Sequence, residues 1–163
     1  MEDQFQEDSC AWKGIEGAPK LDDPGEDCPA LVREHAVRPR NFGDMSPGLA
    51  DGYARLDDPA CGDKIEMWLM IEEGRVFEIR FKSNGCASTI AINSMLTELA
   101  DGKTVAEAKA ITNRDVEAAF EGGIELQTTC PLAGIRALQM AIEDYESKES
   151  SSRKPASRRK TQK

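Results

Sequence analysis

The sequence predicts an α+β fold: a small three-stranded antiparallel sheet with helices packed on one face and a cysteine site at the end of the sheet. Ile65, Met67, Leu69 and Ile71 alternate along one face, Glu73-Gly74 supplies a turn, and Phe77, Ile79 and Phe81 alternate back, the period-two pattern of a hairpin covered on one side. After Asn84-Gly85-Cys86 the period changes from two to 3.6. Strands come first and helices follow, the order expected when helices share one side of a small sheet.

Residues 1–27 mix Gly, Pro, Asp and Glu without an apolar period and are expected to form a disordered acidic extension. A folded domain is expected over residues 28–147, followed by a disordered basic tail over 148–163 rich in Ser, Lys and Arg. The domain opens with Pro29-Ala-Leu-Val-Arg-Glu-His-Ala, which suits a short helix with proline in its first turn. That helix stops near Val37, because Pro39 restricts Arg38 to extended conformations. Residues 38–63 hold Pro39, Gly43, Pro47, Gly48, Gly52, Pro59 and Gly62 and read as loop, with one short strand around Tyr53 to Leu56. A loop this long in a compact domain is usually functional.

The outward face of the hairpin carries Glu66, Glu72, Glu78, Arg80 and Lys82, interrupted by Trp68 and Met70. Met67, Trp68 and Met70 read most simply as core or sheet-face packing. Beyond the hairpin, Ile90, Ser94 and Leu96 to Leu99 lie on a helix that Gly102 stops. Thr104 and Glu107 make a capping-box pattern for a short helix through Ile111. Thr112 or Asn113 caps another running to Phe120, closed by Gly122-Gly123. The last helix opens at Pro131, with Leu132, Ile135, Leu138, Ile142 and Tyr145 along one stripe.

Charge and composition exclude several classes of function. The formal charge of −9 divides into nine acids and two bases over residues 1–27, twenty and twelve over 28–147, and one and seven over 148–163. An acidic body repels a duplex everywhere but at its tail, so general nucleic-acid binding is not expected. No apolar run reaches the length of a membrane span. Met1 to Asp8 is acidic, without the basic start of a secretory signal or the charge of a mitochondrial leader, so a cytoplasmic protein is expected. Five cysteines leave at least one unpaired if disulfides form, and a reducing compartment turns attention to metal or catalytic roles.

Three of the cysteines sit where a loop meets a regular element: Cys61 in Pro59-Ala-Cys-Gly-Asp, Cys86 in Asn84-Gly-Cys-Ala-Ser, and Cys130 before Pro131. Cysteine acts as ligand or nucleophile as the thiolate, and a helix N-terminus favours that form with free N–H groups and the positive end of its dipole. Cys86 and Cys130 both precede predicted helices, and Gly62 lets the loop at Cys61 bring metal or sulfide close to the backbone. The separations, 25 residues from Cys61 to Cys86 and 44 from Cys86 to Cys130, match no zinc finger, so only tertiary folding can join them. Buried apolar packing is the alternative for each cysteine alone. It explains the set less well, because each lies beside Gly or Pro and none falls on an apolar stripe. A tetrahedral metal needs a fourth ligand, and Asp63 stands two residues from Cys61; a turn or strand-entry cap is its other reading. His35 reads as a helix-end or packing residue, with ligation as the alternative. Cys10 and Cys28 read as exposed or minor packing thiols.

Arg33 to Gly43 with Pro39-Arg40-Asn41-Phe42-Gly43, Ala60-Cys61-Gly62-Asp63, Gly85-Cys86-Ala87, and Cys130 leading into Ala137 to Tyr145 together resemble the iron–sulfur cluster assembly scaffolds of the IscU/NifU N-terminal type. The resemblance runs from about Leu31 to Ser147. It implies a scaffold and carrier, not an enzyme, that accepts sulfur as persulfide from a cysteine desulfurase. It would take up iron, build a transient [2Fe-2S] cluster and pass it to recipient apo iron–sulfur proteins. Carried over by motif, Cys61, Cys86 and Cys130 are the sulfur-accepting thiols, and with Asp63 they are the metal ligands, the aspartate keeping the cluster labile. Zinc at the same residues is the implied occupant of isolated protein, and a zinc-bound persulfide acceptor for sulfur transfer is the alternative function. The chain departs from the Isc pattern at Thr129, where a histidine ligand is expected, and at Ile124 to Thr128, where a chaperone-read Leu-Pro-Pro-Val-Lys segment is expected. The spacing from Cys86 to Cys130 leaves no room for the insertion of the SufU branch.

Overall fold

The computed structural model describes residues 30–46, 48–57, 62–85, 87–121 and 129–152, with side chains of the last helix from Ala133 onward. In chain order the elements are α1 (Ala30–Val37), β1 (Gly52–Asp57), β2 (Lys64–Glu72), β3 (Arg75–Ser83), α2 (Ala87–Ala100), α3 (Val105–Lys109), α4 (Asn113–Ala119) and α5 (Thr129–Ser152). The sheet has the order β1-β2-β3 with both pairs antiparallel. Its inner face is made by Ala54, Ile65, Met67, Leu69, Ile79 and Phe81, all buried. Helix α5 packs on β1 and β2, and α2 packs on β3 and α5 with α1 on its flank.

One expected core residue is on the wrong side. The ladder slips between Met70 and Ile71, so that Met70 pairs with Glu78 but Ile71 pairs with Val76, leaving Phe77 as the extra residue of a bulge. A one-residue slip exchanges the faces of a strand. Val76 is accordingly buried, while Phe77 points outward and is 57% exposed. Met67 lies in the core, and Trp68 packs against Tyr53 on the outer face with ring centroids 5.4 Å apart.

Both sheet edges are covered, which explains part of the long loop. On the β1 side the Tyr53 N–H donates to the Asp144 carboxylate of α5 at 2.9 Å. On the β3 side the Gly43 N–H donates to the Phe81 carbonyl at 2.8 Å, and the Phe81 N–H donates to the Asn41 carbonyl at 3.0 Å. Farther along, the Val76 N–H donates to the Lys103 carbonyl and the Gly102 N–H to the Val76 carbonyl, at 2.8 and 2.9 Å. Asn41 turns the chain at φ 60°, a conformation asparagine tolerates, and its Nδ2 donates to Thr97 Oγ1 at 3.2 Å.

The helix caps are as the sequence indicates. Thr104 Oγ1 accepts from the Glu107 N–H, and Glu107 Oε2 accepts from the Thr104 N–H. At the next helix start the Thr112 N–H and hydroxyl both donate to Asp115 Oδ2 at 2.7 Å. Helix α3 ends at Lys109, short of Ile111, and α5 begins at Thr129, before Pro131. The expected start of a disordered tail at Lys148 falls inside α5, which continues to Ser152. Lys148 pairs with Asp144 one turn back, and the hydroxyls of Ser150, Ser151 and Ser152 fold onto carbonyls of the preceding turn, so this polar run satisfies itself as helix. The expectations for the acidic extension, Gly122-Gly123 and residues 153–163 lie outside the described residues.

Helix α5 lies close on the sheet because small residues face each other. A Cβ placed on Gly52 would fall on the Ala141 carbonyl oxygen of α5 and 3.1 Å from the Tyr145 Cβ. The obstacle is backbone, so the helix itself has to move. Gly52→Ala is expected to lower stability by about 1–3 kcal/mol, the usual cost of overpacking, read as a shift of the urea unfolding midpoint. An unchanged midpoint would show that the α5–β1 contact yields freely.

Candidate metal centre

The start of β2 and the end of β3 form one end of the sheet, where Ile65 pairs with Ser83. Asn84 closes this end by accepting the Lys64 N–H on its Oδ1 at 2.7 Å, and the Gly85 N–H donates to Ser83 Oγ at 3.0 Å. Gly62, at φ 73°, turns the chain into β2 and delivers Asp63 beside the loop that leads into α2. There the Thr89 hydroxyl, in the first turn of α2, donates to Asp63 Oδ2 at 2.9 Å. Asp63 is half-buried, and among the described residues no other hydrogen-bond partner holds its carboxylate.

Gly85 is what lets these two side chains meet. A Cβ there would lie 2.6 Å from Asp63 Oδ2 and 2.8 Å from both Cβ and Cγ2 of Thr89. The absent methyl is thus filled by the carboxylate. A second glycine serves the neighbouring helix: a Cβ on Gly134 of α5 would lie 2.6 Å from Asn93 Oδ1. Asn93 Nδ2 donates to the Thr89 carbonyl at 2.8 Å, and its buried Oδ1 has no hydrogen-bond partner among the described residues. The second turns of α2 and α5 therefore meet at Asn93 and Gly134, one helical turn beyond Thr89 and Cys130 respectively.

Of the expected site residues, Asp63 is placed at the end of the sheet in contact with α2. Cys61 and Cys86 lie outside the described residues, and Cys130 is described only by its backbone, in the first turn of α5. A carboxylate oxygen beside thiolates suits a borderline or soft metal that also accepts oxygen, so the donors called for by the sequence are chemically compatible with iron or zinc. Thr89, Asn93 and Gly134 were not singled out by the sequence motifs. Their signal is Thr89, Asn93 and Thr97 recurring every fourth residue in a helix otherwise rich in buried apolar side chains.

His35 belongs to a different cluster. It is 2% exposed, its Nδ1 lies 2.8 Å from Ser94 Oγ, its Nε2 lies 3.4 Å from Glu98 Oε2, and Phe120 meets its ring edge-on at 5.5 Å. Ser94 Oγ also accepts the Arg40 N–H at 2.8 Å. With one donor and two acceptor sites, that hydroxyl can serve the Arg40 N–H and either tautomer of the neutral ring together. His35 is thus a buried packing residue at the end of α1, as the sequence indicates.

Comparison with known proteins decides the family. The profile of the NifU-like N terminal domain matches residues 30–152. This chain belongs to the NifU-like N-terminal domain family. An iron–sulfur cluster assembly scaffold protein IscU of Archaeoglobus fulgidus is 40% identical to this NifU-like chain over 115 residues, covering 70% of it and 73% of the relative. The IscU scaffold protein of Escherichia coli K12 is 35% identical over 119 residues, covering 72% and 92%. Among solved structures, the N-terminal part of a NifU-like protein from Brucella abortus superposes with a TM-score of 0.60 at 18% identity, covering 76% of this chain and 97% of that one, a likeness of fold. No helix among the described residues is long and apolar enough to cross a membrane.

Burial lowers the pKa of His35 below its ordinary 6.5, with Glu98 pulling the other way. The unfolded chain then binds a proton at a pH where the folded chain does not. The stability from the neutral ring is complete above pH 6.5 and falls as pH drops through that value towards the folded pKa. Urea midpoints measured at about pH 7.5 and about pH 5.5 should show this loss, and His35→Gln, which cannot titrate, should show a smaller one. Equal losses in both proteins would place the pH dependence elsewhere.

Proposed function

We propose that this protein is a scaffold for iron–sulfur cluster assembly, holding a transient [2Fe-2S] cluster on Cys61, Cys86, Cys130 and Asp63. The observation that carries the reading is the placement of Asp63: a half-buried carboxylate at the sheet end, held by Thr89 against Gly85, the residue that precedes Cys86 in the sequence. Membership of the NifU-like family, and relatives named as IscU scaffold proteins, support it. The cluster is cargo, built here and passed to recipient apo-proteins, so the protein acts as a carrier and not as a classical enzyme.

The chemistry follows from the donor set. A thiolate of this chain attacks the outer sulfur of a persulfide on a cysteine desulfurase, the sulfur–sulfur bond of the donor breaks, and the desulfurase leaves as thiolate. Each transferred sulfur takes up two electrons on becoming sulfide. A ferrous ion going to ferric supplies one, and an external electron donor supplies the other. Thiolates hold ferric iron strongly and a lone carboxylate oxygen holds it less so, which makes Asp63 the point where an incoming ligand enters. Zinc, with the same preference for thiolate, is the expected occupant in the absence of iron and sulfide.

Anaerobic reconstitution with ferrous iron, cysteine, reductant and a desulfurase is expected to give visible charge-transfer bands, which are lost in the Cys61→Ser, Cys86→Ser, Cys130→Ser triple variant. Zinc retention with a persulfide on one cysteine and no bands would favour sulfur transfer over cluster assembly. Asp63→Ala is expected to slow loss of the bands to a chelator by roughly 10-fold, on the scale by which changes around a metal site move its affinity. Faster loss would remove the labile role assigned to this carboxylate.

A further inference from the structure

We propose that Thr89 is a positioning residue that pins Asp63 through Oδ2, so that the carboxylate offers a bound metal one oxygen, Oδ1, from a fixed rotamer. This rests on the reading of Asp63 as a ligand. The hydroxyl donates to Oδ2 at 2.9 Å, and Gly85 leaves the space in which Oδ2 and the Thr89 methyl lie side by side.

Thr89 is itself fixed. Its side chain is 1% exposed within α2, and its carbonyl accepts from Asn93 Nδ2, which packs against Gly134 of α5. A carboxylate with both oxygens free can bind a cation in bidentate fashion or swing into solvent. One with an oxygen engaged in a hydrogen bond is directed towards monodentate ligation through the other. Thr89 thereby tunes the ligand assigned to the exchange step without touching the metal.

The test uses zinc(II) and cobalt(II) on the full reduced chain under anaerobic conditions, with a competing chelator. The proteins compared are the parent, Thr89→Val, Thr89→Ser, Asp63→Ala and the double variant Thr89→Val/Asp63→Ala. Thr89→Val, which keeps the shape and removes the hydroxyl, is expected to weaken zinc(II) binding by about 10-fold, the effect of losing a partner that orients a ligand. The visible d–d bands of the cobalt(II) form should shift with it, and Thr89→Ser should restore both. Asp63→Ala should weaken zinc(II) on its own, and adding Thr89→Val to it should change nothing further. A loss of the same size in both backgrounds would mean that Thr89 acts through the fold, and unchanged affinity in Thr89→Val would mean that it does not position the carboxylate. Either result overturns the proposal and leaves Asp63 a ligand. An unaffected Asp63→Ala overturns both.

Discussion

The close approach of α5 to the sheet and to α2 is the constraint on which the rest of the structure depends. It is made at two points where a side chain has been given up. At Gly52 the edge strand touches the Ala141 carbonyl of the helix, and at Gly134 the helix touches Asn93 of α2. Packing of this density tolerates no added methyl without movement of backbone or of a buried amide. Because Cys130 stands one turn before Gly134, the same contact sets where the start of α5 lies relative to the start of α2. Site geometry and core packing are therefore one problem in this fold.

Helix α2 ties the remaining parts together through its polar residues. Ser94 and Thr97 receive the Arg40 N–H and the Asn41 side chain, which holds the segment that covers the β3 edge. Thr89 and Asn93 receive Asp63 and face α5. In a helix whose residues are nearly all buried, each of these polar groups has to find a partner or cost stability. All but Asn93 Oδ1 have one among the described residues. The Pro39-Arg40-Asn41 motif thus has a structural meaning, as the anchor of a loop to the helix that also carries the Asp63 contact.

Much of the fold was legible because it follows from local rules. Alternation at Ile65, Met67 and Leu69 marked the central strand, and Thr104 with Glu107 marked a helix start through hydrogen bonds within four residues. Phe77 was misplaced because a bulge is a property of two strands: nothing in the order Val76-Phe77 reveals that Ile71 pairs with the former. The extension of α5 past Ser147 was missed because a Ser- and Lys-rich run reads as tail until its hydroxyls are seen to return to the helix. At the site, the motif around Asp63 was visible in the sequence. Thr89, Asn93 and Gly134 were not, since their meaning lies in contacts between residues far apart in the chain, and small polar residues in a helix look the same whether or not they hold a ligand.

The central claim is that the sheet end and the two helix starts assemble iron and sulfide together, with Asp63 among the ligands. The most direct measurement is iron and acid-labile sulfide analysis of the protein after desulfurase-driven anaerobic reconstitution and gel filtration, set beside its Mössbauer spectrum. Equal amounts of iron and sulfide, with two inequivalent ferric sites, one of them oxygen-ligated, are the result this account predicts. Iron without sulfide, or two equivalent all-thiolate sites, would contradict it.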